Sequence, residues 1–113
     1  MIQDEGGMAS LTVIYWRDIP AQVVAETGRG RNRTQAKIEL HRRFALAIDE
    51  AAMRDGADST DDYLADWRRA PSEDCSDDLQ AEAEAKAKAI EAEVDNSALA
   101  ALVAAGGHHP TQD

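Results

Sequence analysis

A chain of 113 residues with one cysteine, three histidines and a net charge of -10 has room for one core and no internal disulfide, so it is expected to fold without staples in a reducing compartment. No apolar run approaches the ~18 residues of a membrane span, and Met1 to Ser10 carries Asp4 and Glu5 where a secretory signal carries Lys or Arg, which predicts a cytoplasmic protein. Residues 1–43 hold seven Lys/Arg against five Asp/Glu while residues 44–113 hold five against seventeen, and so acidic a second half argues against general affinity for nucleic acid or anionic lipid.

Residues 1–9 are polar and Gly-rich, with Met8 a second candidate start, and are expected to form a disordered extension. Leu11 to Asp18 (Leu-Thr-Val-Ile-Tyr-Trp-Arg-Asp) is dense in β-branched and aromatic residues and predicts a strand, apolar on both faces and therefore central. Pro20 lacks a donor and restricts Ile19, so a turn or bulge is expected at Asp18-Ile19-Pro20. Ala21 to Thr27 predicts a second strand that stops at Gly28. A polar loop, Gly28 to Gln35, leads to a third short strand at Ala36 to Leu40.

From His41 the period changes. Leu40, Phe44, Ile48 and Ala52 fall four apart, with Ala47 and Ala51 beside them, predicting a helix to about Arg54 that Gly56 closes. Ser59 and Asp62 form a cap-like pair, so a shorter helix is expected from Thr60, through Tyr63, Leu64 and Trp67, until Pro71 ends it. After a polar linker holding Cys75, the Ser76-Asp77-Asp78 cap predicts a third helix with Leu79, Ala83, Ala87, Ile90 and Val94 on one face. Glu82 with Lys86, and Glu84 with Lys88, are spaced for i, i+4 pairs. Asp95-Asn96-Ser97 then recaps a final helix, Ala98 to Ala105, closed by Gly106-Gly107, and residues 108–113 are expected to be a disordered tail. The whole predicts a single α+β domain over residues 10–107: a small antiparallel sheet of two or three strands covered by three to four helices.

Three blocks taken together, Leu11-Thr-Val-Ile-Tyr-Trp-Arg-Asp-Ile-Pro-Ala-Gln-Val23, Phe44 to Met53 and Asp62-Tyr-Leu-Ala-Asp-Trp-Arg68, resemble the bacterial virulence factor domain family, whose domain is also attached to conserved virulence factor C. The resemblance runs from about Ser10 to Gly107, and Tyr-Trp-Arg-Asp-Ile-Pro is its most specific part. It implies no reaction, substrate or cofactor at any position. Stand-alone members of the family are small alphaproteobacterial proteins, sometimes encoded beside folate-linked and corrinoid-linked methyl-transfer enzymes, which implies an accessory role in one-carbon metabolism.

Chemistry-bearing motifs are sparse. Cys75 lies in Glu73-Asp74-Cys75-Ser76-Asp77-Asp78, where carboxylates disfavour a thiolate. His108 and His109 are adjacent near the chain end, no Cys-x-x-Cys or His-Glu-x-x-His pattern occurs, and no phosphate-cradling glycine loop follows a strand. The paired carboxylates Asp61-Asp62 and Asp77-Asp78 are accounted for as first-turn residues of helices. No catalytic residue, metal site or cofactor is therefore assigned. Two candidate interaction surfaces remain. Trp16, Arg17, Asp18 and Pro20 place an aromatic, a cation and an anion at a strand end, where a recognition surface competes with a structural role of Trp16 in the core and Arg17 pairing with a helix carboxylate. Arg29, Arg31 and Arg33, with Lys37, Arg42 and Arg43, give residues 29–43 six positive charges against Glu39 alone, an electrostatic docking element for an acidic surface or a patch that pairs with the protein's own acidic helices. The leading expectation is a non-catalytic accessory or protein-interaction module with an unidentified protein partner. A small subunit of a methyl-transfer system, contributing Arg17 and Asp18 to a shared site, comes second, and weak nucleic-acid binding through the arginine loop third.

Overall fold

A computed structural model of the chain describes residues 9–28, 34–54, 56 and 60–108. The expected extension up to Met8, the arginines Arg29, Arg31 and Arg33, and the tail from His109 onward lie outside the described residues. In chain order the elements are β1 (Ser10–Trp16), β2 (Ile19–Thr27), β3 (Thr34–Glu39), α1 (Arg42–Arg54), α2 (Thr60–Ala65), β4 (Trp67–Arg69), β5 (Glu73–Asp74), α3 (Leu79–Glu93) and α4 (Asn96–Ala104). The class is α+β, as predicted, but among the described residues the antiparallel sheet has five strands rather than two or three.

The two additional strands are three and two residues long, too short to carry an alternating pattern. They exist because β1 offers an edge. Trp67 pairs with Trp16, Arg69 with Ile14, Glu73 with Leu11 and Asp74 with Ser10. Pro71, with no N–H to give, interrupts what is otherwise one extended run. Ala70 still donates to the Val13 carbonyl at 3.0 Å, and the Ser72 hydroxyl meets the buried Thr12 hydroxyl at 2.7 Å. The helix expected to continue to Pro71 consequently ends at Ala65.

The sheet order is β3-β2-β1-β4, with β5 also against β1, so β1 is central. Its reversal into β2 falls at Arg17-Asp18, ahead of the proline. Ile19 is already paired with Trp16, and Pro20 sits in the strand opposite Tyr15. Ile14 pairs with Gln22, leaving Ala21 as the extra residue of a bulge. Such an irregularity is where a strand tolerates a missing donor. The Ala21 carbonyl accepts instead from Leu40 N at 3.1 Å, tying the start of β2 to the chain just before α1.

The core follows from the register. Val13 faces Val23 and Leu11 faces Ala25 across the central strands, and all four are buried. Helix α3 packs on β2 and β3, and α1 packs on β2 and α4. These helices bring Phe44, Ala47, Ile48, Ala51 and Ala52, Leu79, Ala83, Ala87 and Ile90, and Leu99, Leu102 and Val103. The many alanines let helices approach the sheet closely, since dispersion contacts fall off steeply with any gap. Ala9, one residue before the expected domain boundary, belongs to this core, and its carbonyl accepts from Cys75 N at 3.2 Å.

Caps hold the helix ends. The Asp78 side chain accepts from Ala81 N, and Asp95 accepts from Ala98 N at 2.9 Å, each satisfying a first-turn donor. Glu82 turns back to accept from Ser76 N at 2.9 Å, while Lys86 reaches Glu73 at 3.2 Å instead of pairing with Glu82. Helix α1 opens on two arginines, the unfavourable sign for the positive end of a helix dipole. The compensation comes from α3. Glu91 Oε2 accepts from His41 N at 2.8 Å, and the Glu91 carbonyl accepts from Arg43 Nη2 at 2.8 Å. Arg43, at the end of the basic stretch, is thus tied to α3 through a backbone carbonyl. No helix among the described residues is long and apolar enough to cross a membrane.

Candidate functional site

The hairpin tip is fastened to the rest of the molecule. Arg17 adopts φ 56°, a left-handed conformation that costs a residue with a Cβ about 1 kcal/mol or more. Its amide donates to the Asp66 carbonyl at 2.9 Å, its Nε meets Asp66 Oδ2 at 3.0 Å, and its Nη1 donates to the Gly106 carbonyl at 2.6 Å. The guanidinium also lies 4.5 Å from the Trp16 ring centre. Asp18 N donates to the Gly107 carbonyl at 2.8 Å, and Arg68 bridges the Arg17 carbonyl and Asp18 Oδ1. Trp16 is 0% exposed and gives its indole N–H to the Tyr63 carbonyl at 2.9 Å. The sequence therefore brings Trp16, Arg17 and Asp18 together with the end of α2 and the end of α4, while Pro20 is buried within β2. Arg17 is paired with a carboxylate just past a helix, and Trp16 belongs to the core.

Beside this locked tip lies an open groove of about 550 Å³. Its floor and walls are Ala21 and Gln22 at the β2 bulge, Glu39 and Leu40 after β3, Arg42, Ala45, Ile48 and Asp49 of α1, and Tyr63 and Trp67. The geometry has a local origin. The bulge bends β2 where Ala21 holds Leu40, and that bond sets the start of α1 alongside. Arg42, Ala45 and Asp49 then recur at i, i+3 and i+7, one stripe of the helix. Trp16, Tyr63 and Trp67 form an aromatic series: Trp16 stacks on Tyr63 at 5.9 Å between ring centres, and Tyr63 meets Trp67 edge-on at 5.8 Å. The buried member of the series anchors the two that line the groove.

Electrostatically the lining carries two carboxylates, Glu39 and Asp49, against one guanidinium, Arg42. The Tyr63 phenol is pushed above its ordinary value of 10.0, first by burial and next by the Asp49 carboxylate, with a hydrogen bond from Trp67 acting in the opposite direction. Charge pairing, hydrogen bonding and stacking are what such a lining supplies. The thiol lies elsewhere. Burial, followed by the carboxylates of Glu82, Asp77, Asp74 and Glu73, pushes Cys75 above its ordinary 9.0, which keeps it protonated and weakly nucleophilic near neutrality. Among the described residues, no group of three or more His, Cys, Asp or Glu is placed to hold a metal ion.

The sequence by itself points to two candidate surfaces, Trp16 to Pro20 and the arginines Arg29, Arg31 and Arg33, of which the second lies outside the described residues, and it does not single out Glu39, Asp49, Tyr63 and Trp67 as a group. The i, i+4 spacing of Tyr63 and Trp67, and the polar i, i+7 spacing of Arg42 and Asp49 beside the apolar stripe, are the signals that were present. That the two sets converge depends on contacts between distant segments.

The fold and groove define a small α+β domain with a locked hairpin and an aromatic-walled groove beside it. Its family follows from comparison. The virulence factor family profile matches residues 14–103, and the chain belongs to that family. No curated protein and no solved structure matches the chain.

Proposed function

We propose that this virulence factor family domain is a non-catalytic protein-interaction module, and that a partner protein docks at the groove between the β2 bulge, α1 and Trp67. The observation that carries the reading is the groove itself. Its aromatic walls are braced from behind by the fully buried Trp16, so the surface is rigid before anything binds, which lowers the ordering cost of association. Its mixture of Tyr, Trp and Arg is the composition favoured at binding hot spots.

The test is a substitution that fills the groove without touching the core. A photo-crosslinking residue at Ala45 identifies the partner in cells, with the same residue at Gln80 on α3 as control, and the partner is then purified and mixed with this chain. Ala45→Arg is expected to abolish the reconstituted complex while leaving the melting temperature within about 2 °C, since an exposed helix position tolerates arginine. A complex that survives Ala45→Arg, or crosslinks equal at Ala45 and Gln80, overturns the assignment to this groove.

A further inference from the structure

The groove's lining also says what kind of group it takes. We infer that the groove binds an arginine side chain presented by the partner protein, its guanidinium held by Asp49 and Glu39 and laid against Tyr63 and Trp67. This rests on the interaction reading above and specifies the ligand class for the same site.

The argument is one of charge and shape together. Two carboxylates face one cation in the lining, so the groove is left with a formal charge of -1 inside a protein of net -10. The lining's own sum and the net charge of the chain favour a cation over an anion, against the opposing basic stretch of residues 29–43 to which Glu39 and Arg42 belong. Neither Asp49 nor Glu39 is drawn into an ion pair with Arg42; ion pairs at hydrogen-bonding distance among the described residues include Arg17 with Asp66, Arg68 with Asp18 and Lys86 with Glu73. The field of Asp49 reaches Tyr63, which places carboxylate and aromatic in one electrostatic neighbourhood. An aromatic face beside a carboxylate suits a planar guanidinium better than an ammonium, because the guanidinium stacks and forks at the same time. This molecule already uses that preference on itself: Arg17 lies 4.5 Å from Trp16, Arg43 4.4 Å from Phe44 and Arg68 4.5 Å from Tyr15. A volume of about 550 Å³ exceeds one side chain, leaving room for the flanking peptide.

The probes are capped tripeptides, acetyl-Gly-Arg-Gly-amide, acetyl-Gly-Lys-Gly-amide and acetyl-Gly-Glu-Gly-amide, with spermidine as a free polyamine, each titrated into the full chain. The readout is the indole N–H resonance of Trp67 in proton–nitrogen correlation spectra. The arginine peptide is expected to shift that resonance saturably and to bind more tightly than the other three probes. Asp49→Asn should weaken its binding about fivefold, the size of one partly exposed ion pair. Glu84→Gln, which changes the net charge equally but lies on α3, should leave it unchanged. Equal weakening by both variants, spermidine or the glutamate peptide binding as tightly as arginine, or no shift of Trp67 at all, each overturns the inference. If the arginine peptide fails while Ala45→Arg still abolishes the reconstituted partner complex, the docking surface stands and only the cation is wrong.

Discussion

Arg17 and Asp66 meet twice, through backbone N–H to carbonyl at 2.9 Å and through Nε to Oδ2 at 3.0 Å, although 49 positions separate them. This double contact holds Arg17 at φ 56°, and it ties the β1–β2 reversal to the junction between α2 and β4. Arg17 is only 10% exposed in its side chain, so the pair is screened less than a surface bridge. Arg17→Ala is expected to cost about 2 kcal/mol, combining a charge-assisted pair, a second hydrogen bond to Gly106 and the stacking on Trp16. Arg17→Gly loses the same contacts but relieves the left-handed strain, so it should be less destabilising than Arg17→Ala despite glycine's usual penalty. Urea unfolding of the two variants checks the order.

Gly107 and Gly56 test packing against backbone strain. Both have positive φ, 94° and 72°. A Cβ at Gly107 would lie 2.9 Å from Trp16 Cζ3 and 3.1 Å from Arg17 Cδ, whereas one at Gly56 meets nothing within 4 Å. Gly56→Ala should therefore cost only the conformational strain, about 1 kcal/mol. Gly107→Ala should cost about 1 to 3 kcal/mol more, because it also overpacks a rigid ring. Thermal melts of both, with near-UV circular dichroism of the Trp16 environment, decide between them.

The two tryptophans should separate in fluorescence. Trp16 is 0% exposed and Trp67 is half-buried on the groove wall. Trp67→Phe leaves Trp16 as the emitter and should give blue-shifted emission resistant to iodide. Trp16→Phe should leave emission that iodide quenches more readily, at a cost of stability of about 1 to 3 kcal/mol from underpacking the core and the lost bond to the Tyr63 carbonyl.

Three shifted groups among the described residues contribute to the pH response. Cys75 and Tyr63 are raised above 9.0 and 10.0 in the folded chain. A raised acid contributes stability that is fully present below its unfolded value and is lost as pH rises through the folded one. Stability should accordingly decline above about pH 9, and Tyr63→Phe should remove the upper part of that decline. Glu82 is lowered below 4.5, first by the Ser76 hydroxyl and then by the Ser76 amide. Its contribution should be present above 4.5 and vanish as pH falls through the lower folded value, so Glu82→Gln should flatten the acid limb. Denaturant midpoints measured across pH settle both arms. The same shift in Cys75 predicts slow alkylation by iodoacetamide at pH 7.5, accelerated in Glu82→Gln.

Much of the architecture is legible in local sequence. Alternation and β-branching mark β1, the four-residue apolar period marks α1, and Asp78, Asp95 and the Gly106-Gly107 pair mark helix ends, because each signal is carried by residues a few positions apart. The family is legible too, through the Tyr-Trp-Arg-Asp-Ile-Pro block. Tertiary structure alone decided the rest. Trp67 to Arg69 and Glu73 to Asp74 become strands only because β1 has an open edge to receive them, and isolated segments of two or three residues carry no propensity strong enough to announce it. The hairpin turn falls on Arg17 because Asp66, Gly106 and Gly107 hold it there, overriding the glycine preference of that conformation. The groove lies beyond local reading for the same reason: Gln22, Glu39, Asp49 and Trp67 are far apart along the chain, and only the β2 bulge and the packing of Trp16 on Tyr63 bring them to face one another.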